Sequence, residues 1–160
     1  MAEEEDMDLL EELTELVSKL EAAQIEFALC GGLAMAVYAF PRATLDIDIM
    51  IEPESLPRAK QVASDLGFSL DAGLMEFKNG AVQLYRLCKM PPESADELVL
   101  DLVLITPETQ EAWDSRRKID WERGAIPVVS PEGLIKLKSM RNSGQDQDDI
   151  LHLRKLLDEE

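Results

Sequence analysis

Thr44-Leu45-Asp46-Ile47-Asp48-Ile49-Met50-Ile51 sets two carboxylates into an otherwise apolar run. Isoleucine dominates the run and Pro53 follows it, so it reads as a β-strand ended by the proline. Successive side chains of a strand point to opposite faces. Asp46 and Asp48 therefore share one face, while Leu45, Ile47 and Ile49 face the core on the other. Two ionised carboxylates side by side repel each other, so either one keeps a proton or a cation neutralises both. Hard oxygen donors on a rigid strand suit Mg²⁺, which takes one or two carboxylates and leaves room for substrate phosphates.

Two other stretches extend this reading. Leu98-Val99-Leu100-Asp101-Leu102-Val103-Leu104-Ile105 is an apolar strand with a single acid, Asp101. A lone carboxylate in a buried strand is costly unless it is paired or metal-bound. If this strand lies beside Asp46 and Asp48, three acids converge, and a pair of divalent ions can be held there. Upstream, Gly31-Gly32 stands between a short apolar strand (residues 25–30) and a short helix (residues 33–40). A turn of this kind lets backbone N–H groups approach a phosphate. Gly-Gly followed by Asp-x-Asp in a strand, with a third Asp on a later apolar strand, is far more specific than any of the three alone.

Further out, leucines at helical spacing predict an amphipathic helix over residues 6–23. Ser55 and Pro57 open a helix to Leu66, with Gly67 at its end. Lys78-Asn79-Gly80 predicts a hairpin between strands at 74–77 and 81–88. Thr106 or Thr109 caps a short helix carrying Trp113, and residues 116–121 and 126–129 form a second hairpin. Ser130-Pro131-Glu132 starts a helix. A final helix from about Asp146 carries Ile150, Leu151, Leu153, Leu156 and Leu157 as its apolar stripe. The order of elements gives an α+β fold around one sheet, with 1–160 as a single domain, 1–23 as its N-terminal helix and 130–160 as a C-terminal helical pair.

The chain has 160 residues, enough to bury roughly 70% of its unfolded surface without disulfides. The acidic start, Met1-Ala2-Glu3-Glu4-Glu5-Asp6, is the opposite of a secretion signal. No apolar run approaches the ~20 residues of a membrane span. A soluble, cytoplasmic protein with no membrane association is the expectation, with Cys30 and Cys88 as buried thiols. The net charge of −17 works against a nucleic-acid partner unless another protein supplies basic surface. It is compatible with a nucleotide substrate, because metal ions screen a triphosphate from carboxylates. Residues 116–141 are locally positive, with seven Lys and Arg (Arg116, Arg117, Lys118, Arg123, Lys136, Lys138, Arg141) against three acids (Asp120, Glu122, Glu132). Lys138 or Lys136 can reach a phosphate as a point charge, or be an ordinary surface lysine. Arg42 and Thr44 stand next to the acids; Arg42 can touch the nucleotide or orient Asp46.

Together, Gly31-Gly32, Arg42-x-Thr44, Asp46-x-Asp48 and Asp101 resemble the signature of the DNA polymerase beta type nucleotidyltransferase superfamily. Leu29-Cys30-Gly31-Gly32-Leu33-Ala34, followed by Arg42-Ala43-Thr44-Leu45-Asp46-Ile47-Asp48-Ile49, is especially similar to its small bacterial branch, near the abortive-infection and toxin–antitoxin nucleotidyltransferases. Val129 to Lys138, then Gly144, Asp146 and Asp149, resemble the helical end of that branch, with Gln145 where a basic residue is expected. The resemblance spans residues 25–157. It implies a nucleotidyltransferase-like mixed sheet flanked by helices, with a short helical segment at the end. It implies that Gly31 and Gly32 contact an NTP, and that Asp46, Asp48 and Asp101 are catalytic acids holding Mg²⁺ (or Mn²⁺). Arg42, Thr44 and Lys138 are the candidate nucleotide contacts beside them. The implied reaction moves an NMP from an NTP, ATP among them, to a hydroxyl of a small molecule, a protein or an RNA end. Two other classes use the same residues: a catalytically weak nucleotide-binding or interaction module, and a toxin–antitoxin component working with a cognate protein partner.

Overall fold

The computed structural model describes residues 2–38, 46–89, 97–121, 124–141 and 144–159. Leu9, Leu13, Leu16 and Leu20 form the buried stripe of α1 (Ala2–Ala22). The helix begins ahead of the apolar repeat, because Ala2 and the acids after it are helix formers that suit an N-terminal dipole. Then follow β1 (Phe27–Cys30), α2 (Gly31–Val37), β2 (Asp46–Ile51), a 3₁₀ turn (Pro53–Ser55) and α3 (Leu56–Asp65). β3 (Leu70–Phe77), β4 (Val82–Lys89), β5 (Leu98–Leu104) and α4 (Gln110–Asp114) come next. The chain closes with β6 (Arg117–Trp121), β7 (Gly124–Val128), α5 (Pro131–Arg141) and α6 (Gly144–Glu159).

The strands described form one sheet in the order β3-β4-β5-β2-β1-β7-β6. β2 is parallel to β5 and β1 to β7; the other neighbours are antiparallel. This is the mixed α+β arrangement expected. One face carries Leu29, Ile47, Ile49, Ile51, Leu100 and Leu102, each at most 1% exposed. Full burial of one such side chain is worth about 1.5–3 kcal/mol. The face is covered by α1 and α3. Lys89 at the end of β4 lies 2.7 Å from Glu12 of α1, and Lys60 of α3 donates to the Tyr85 hydroxyl of β4 at 3.0 Å.

Several elements differ from expectation for local reasons. α2 starts at Gly31, two residues early, because Gly31 has φ +72° and turns the chain straight out of β1. β3 begins at Leu70 rather than Leu74; a bulge between Asp71 and Gly73, with Gly73 at φ +85°, hides its period. The Asp71 carboxylate fixes that bulge by accepting from Tyr85 at 2.6 Å and from the Gly73 amide at 2.9 Å. In the hairpin turn, Lys78 and Asn79 both have positive φ, and the Gly80 amide donates to Phe77 O. Ser55 sits in helical geometry and makes no side-chain cap bond, whereas Ser130 does cap α5 through the Gly133 amide at 3.0 Å. Leu151 is 58% exposed, so it leaves the predicted stripe; among the described side chains of α6 the buried ones are Asp149 and Leu153, four apart. β3 is an edge strand that exposes Leu70, Leu74 and Phe77.

Candidate active site

The register of three strands builds the acid face. Cys30 of β1 stands opposite Asp48 of β2, and Asp48 stands opposite Asp101 of β5. Residues paired across strands share a face, and strands lie about 4.8 Å apart. Asp48 and Asp101 are therefore side by side, and Asp46 is on the same face two residues along β2. Asp101 is 4% exposed, while Asp46 and Asp48 are half-buried. Sequence spacing paired Asp46 with Asp48; only the parallel β2–β5 register places Asp101 next to them.

Gly31 completes this corner. A Cβ at Gly31 would stand 2.7 Å from Asp48 Cγ and collide with its carboxylate. Both space and the left-handed φ demand glycine there. We expect Gly31→Ala to cost about 2 kcal/mol of stability, the sum of backbone strain and a displaced Asp48. Urea denaturation checks this, and a loss below ~0.5 kcal/mol would remove the close approach from the account. Gly32 is buried in the first turn of α2. Arg42 and Thr44 lie outside the described residues.

Arg86 of β4 is the partner that sequence reading missed. It pairs with Asp101 across the antiparallel β4–β5 ladder. Its Nε donates to Asp101 Oδ1 at 2.8 Å and its Nη2 to Oδ2 at 3.0 Å, a forked ion pair. Those hydrogen bonds, then the fields of Asp101 and Asp46, push the guanidinium pKa up, so Arg86 is cationic at any working pH. A signal was available: Arg86 is the lone charge in Val82-Gln83-Leu84-Tyr85-Arg86-Leu87-Cys88, as Asp101 is in its own strand.

The other basic candidates are distributed among acids. Lys138 is 3% exposed in α5, with Nζ 2.9 Å from Asp149 Oδ2 of α6. It also lines a cavity of about 40 Å³ with Gly31, Asp48, Leu134 and Leu137, so α5 covers the acid face of the sheet. Lys136 Nζ lies 2.7 Å from Glu111 Oε2, and Arg116 lies over the Trp113 ring at 3.8 Å. Tyr38 hydrogen-bonds Val129 O at 2.9 Å, at the rim. Cys30 and Cys88 are buried thiols, neither in a disulfide.

The carboxylate oxygens of Asp46, Asp48 and Asp101 are the donors on this face that suit a hard divalent cation, and the Cys30 thiol shares the face opposite Asp48. Among the described residues, no three His, Cys, Asp or Glu side chains converge on one point. The Asp101 oxygens are directed to Arg86, yet a carboxylate has about four acceptor positions and the fork uses two. By donor chemistry the residues fit such an ion; by position the three acids expected to converge share a face without closing on one point, and Asp101 is shared with Arg86.

Comparison with known proteins gives the wider setting. A structure of a nucleotidyltransferase candidate from Thermotoga maritima has a TM-score of 0.59 and 16% identity, covering 96% of this chain and 94% of that one. The antibiotic-resistance factor ANT(2'')-Ia has a TM-score of 0.69 and 14% identity over 95% of this chain and 85% of that one. Lincomycin-bound lincosamide antibiotic adenylyltransferase LnuA has a TM-score of 0.54 and 16% identity over 90% and 95% of the two chains. At these identities the likeness is one of fold: a nucleotidyltransferase-like mixed sheet with flanking helices. No curated protein matches the sequence. No helix among the described residues is long and apolar enough to cross a membrane. A family model described as uncharacterised nucleotidyltransferase matches residues 1–159, and the chain belongs to that family.

Proposed function

We propose that the chain is a metal-dependent nucleotidyltransferase whose single site is the acid face of β2 and β5. The observation that carries this is the placement of Asp48 opposite Asp101, with Asp46 on the same face and Gly31 against Asp48. In the reaction, the oxygen of an acceptor hydroxyl attacks the α-phosphorus of an NTP. The bond from that phosphorus to the α–β bridging oxygen breaks, and pyrophosphate leaves. Asp46, Asp48 and Asp101 would hold Mg²⁺ or Mn²⁺, which supplies charge neutralisation for the triphosphate and acidifies the attacking hydroxyl. Asp46 and Asp48 orient the nucleotide side. Asp101, the most buried of the three, faces the acceptor hydroxyl and accepts its hydrogen bond. Gly31 and Gly32 contribute backbone N–H groups to the triphosphate, and Arg42 and Thr44 remain nucleotide candidates from the sequence pattern. Lys138, which shares a cavity with Gly31 and Asp48, must leave Asp149 to reach a phosphate.

The acceptor we favour is a small hydroxylated molecule rather than an RNA end. The charge of −17 opposes a polyanion. ANT(2'')-Ia has also been seen in complex with adenylyl-2''-tobramycin, so this fold accommodates a nucleotidylated small molecule. Pyrophosphate release is the test, with each of four NTPs, Mg²⁺ or Mn²⁺, and panels of small hydroxyl compounds, proteins and RNA. Release with a small compound supports the reading. Release only with RNA overturns the acceptor choice. Tight NTP binding without release under every condition would favour a binding module.

A further inference from the structure

Arg86 has no part in the reaction just described, yet it is a cation built into the acid face of the sheet. Asp48, Asp101 and Arg86 occupy matched positions on three consecutive strands, β2, β5 and β4. Arg86 takes both oxygens of Asp101, at 2.8 and 3.0 Å, and Asp101 has almost no access to water. A buried carboxylate beside two others is costly unless a cation is held against it. Arg86 supplies one, on a side chain that is 34% exposed at the rim of the same face. A dication brought to the same carboxylate meets the guanidinium at short range, and like charges a few ångströms apart repel strongly where water is scarce. The triphosphate of an incoming nucleotide offers the guanidinium the same forked geometry that Asp101 does.

We propose that Arg86 is a placeholder cation: its fork holds Asp101 in place before substrate binds, opposes entry of a bare divalent ion, and moves toward the triphosphate when metal and nucleotide arrive together. This rests on the metal-site reading given above. Arg86 is thereby a positioning residue that makes metal entry depend on nucleotide. Its effect differs in sign from that of a structural clamp. A clamp holds Asp101 for the metal, so its loss weakens metal binding; a placeholder competes with the metal, so its loss strengthens it.

Mn²⁺ binding to the nucleotide-free protein, followed by the electron paramagnetic resonance of free Mn²⁺, separates the two. Arg86→Gln is expected to tighten Mn²⁺ at least tenfold, and a non-hydrolysable NTP should improve Mn²⁺ binding less in the variant than in the parent. Unchanged or weaker Mn²⁺ binding in Arg86→Gln overturns the proposal, as does no detectable binding in either form. Circular dichroism melting checks that the variant is folded. If it is not, Arg86→Lys takes its place: it retains the charge but loses the fork. A few-fold tightening is then expected, and none overturns the idea. Asp48→Asn distinguishes the two levels of failure. If it abolishes Mn²⁺ binding while Arg86→Gln does not tighten it, only the placeholder role falls. If Asp48→Asn binds Mn²⁺ like the parent, the metal site itself is misplaced and the proposal falls with it.

Discussion

Asp48→Asn is expected to lower nucleotidyl transfer by about 10³-fold, ~4 kcal/mol of transition-state stabilisation, while the protein stays folded. Asparagine has the shape of aspartate and keeps one carbonyl oxygen, but it lacks the charge that draws a divalent ion. Asp48 is the central acid of the face, two residues from Asp46 on its own strand and directly opposite Asp101. It is also the acid against which Gly31 packs. No other described acid occupies its place in the register. Pyrophosphate release and thermal melting measured on the same preparation decide the matter. Transfer within tenfold of the parent sinks the site assignment, and an unfolded variant shifts the comparison to Asp46→Asn.

The second large effect concerns Lys138. Lys138→Met is expected to lower stability by about 3–5 kcal/mol, because it removes the cation held 2.9 Å from the buried Asp149 carboxylate between α5 and α6. Both side chains are almost fully buried, at 4% and 3% exposure. Few geometries let a carboxylate at that depth find water. Replacing both partners, as in Lys138→Met with Asp149→Leu, should recover most of the loss, since a well-packed apolar pair often matches a buried ion pair. Urea unfolding of the two singles and the double variant completes the cycle. The same double variant tests the nucleotide role carried over to Lys138. If it is stable yet binds NTP as the parent does, the lysine serves the helix pair alone; if it is stable and binding is lost, Lys138 reaches the nucleotide.

Much of this arrangement was legible because the decisive signals are local. Two aspartates two residues apart in a strand must share a face, whatever the rest of the chain does. Gly31-Gly32 after an apolar strand forces a turn. What the sequence could not disclose was order within the sheet. Asp101 joins Asp48 because β5 inserts between β2 and β4, and nothing in its own apolar run specifies those neighbours. Arg86 was overlooked for the same reason: it becomes part of the site only through the β4–β5 register. Lys138 could be noticed as a cation but not as a buried one, since its partner comes from the next helix. The α6 stripe failed differently. Leu151 is apolar by type, but Asp149 takes the inward position because Lys138 awaits it there.

The insertion of β5 has a consequence for how the molecule comes into being. Asp48 and Asp101 are 53 residues apart in the chain, and α3, β3 and β4 lie between them. Parallel pairing of β2 with β5 must close that whole loop before any local contact rewards it. During synthesis, β1, α2 and β2 can form their antiparallel pair early, while β5 has not yet been made. The third acid is thus delivered last to a slot that β2 and β4 must leave open, so an incompletely folded chain has the paired acids but not the assembled site.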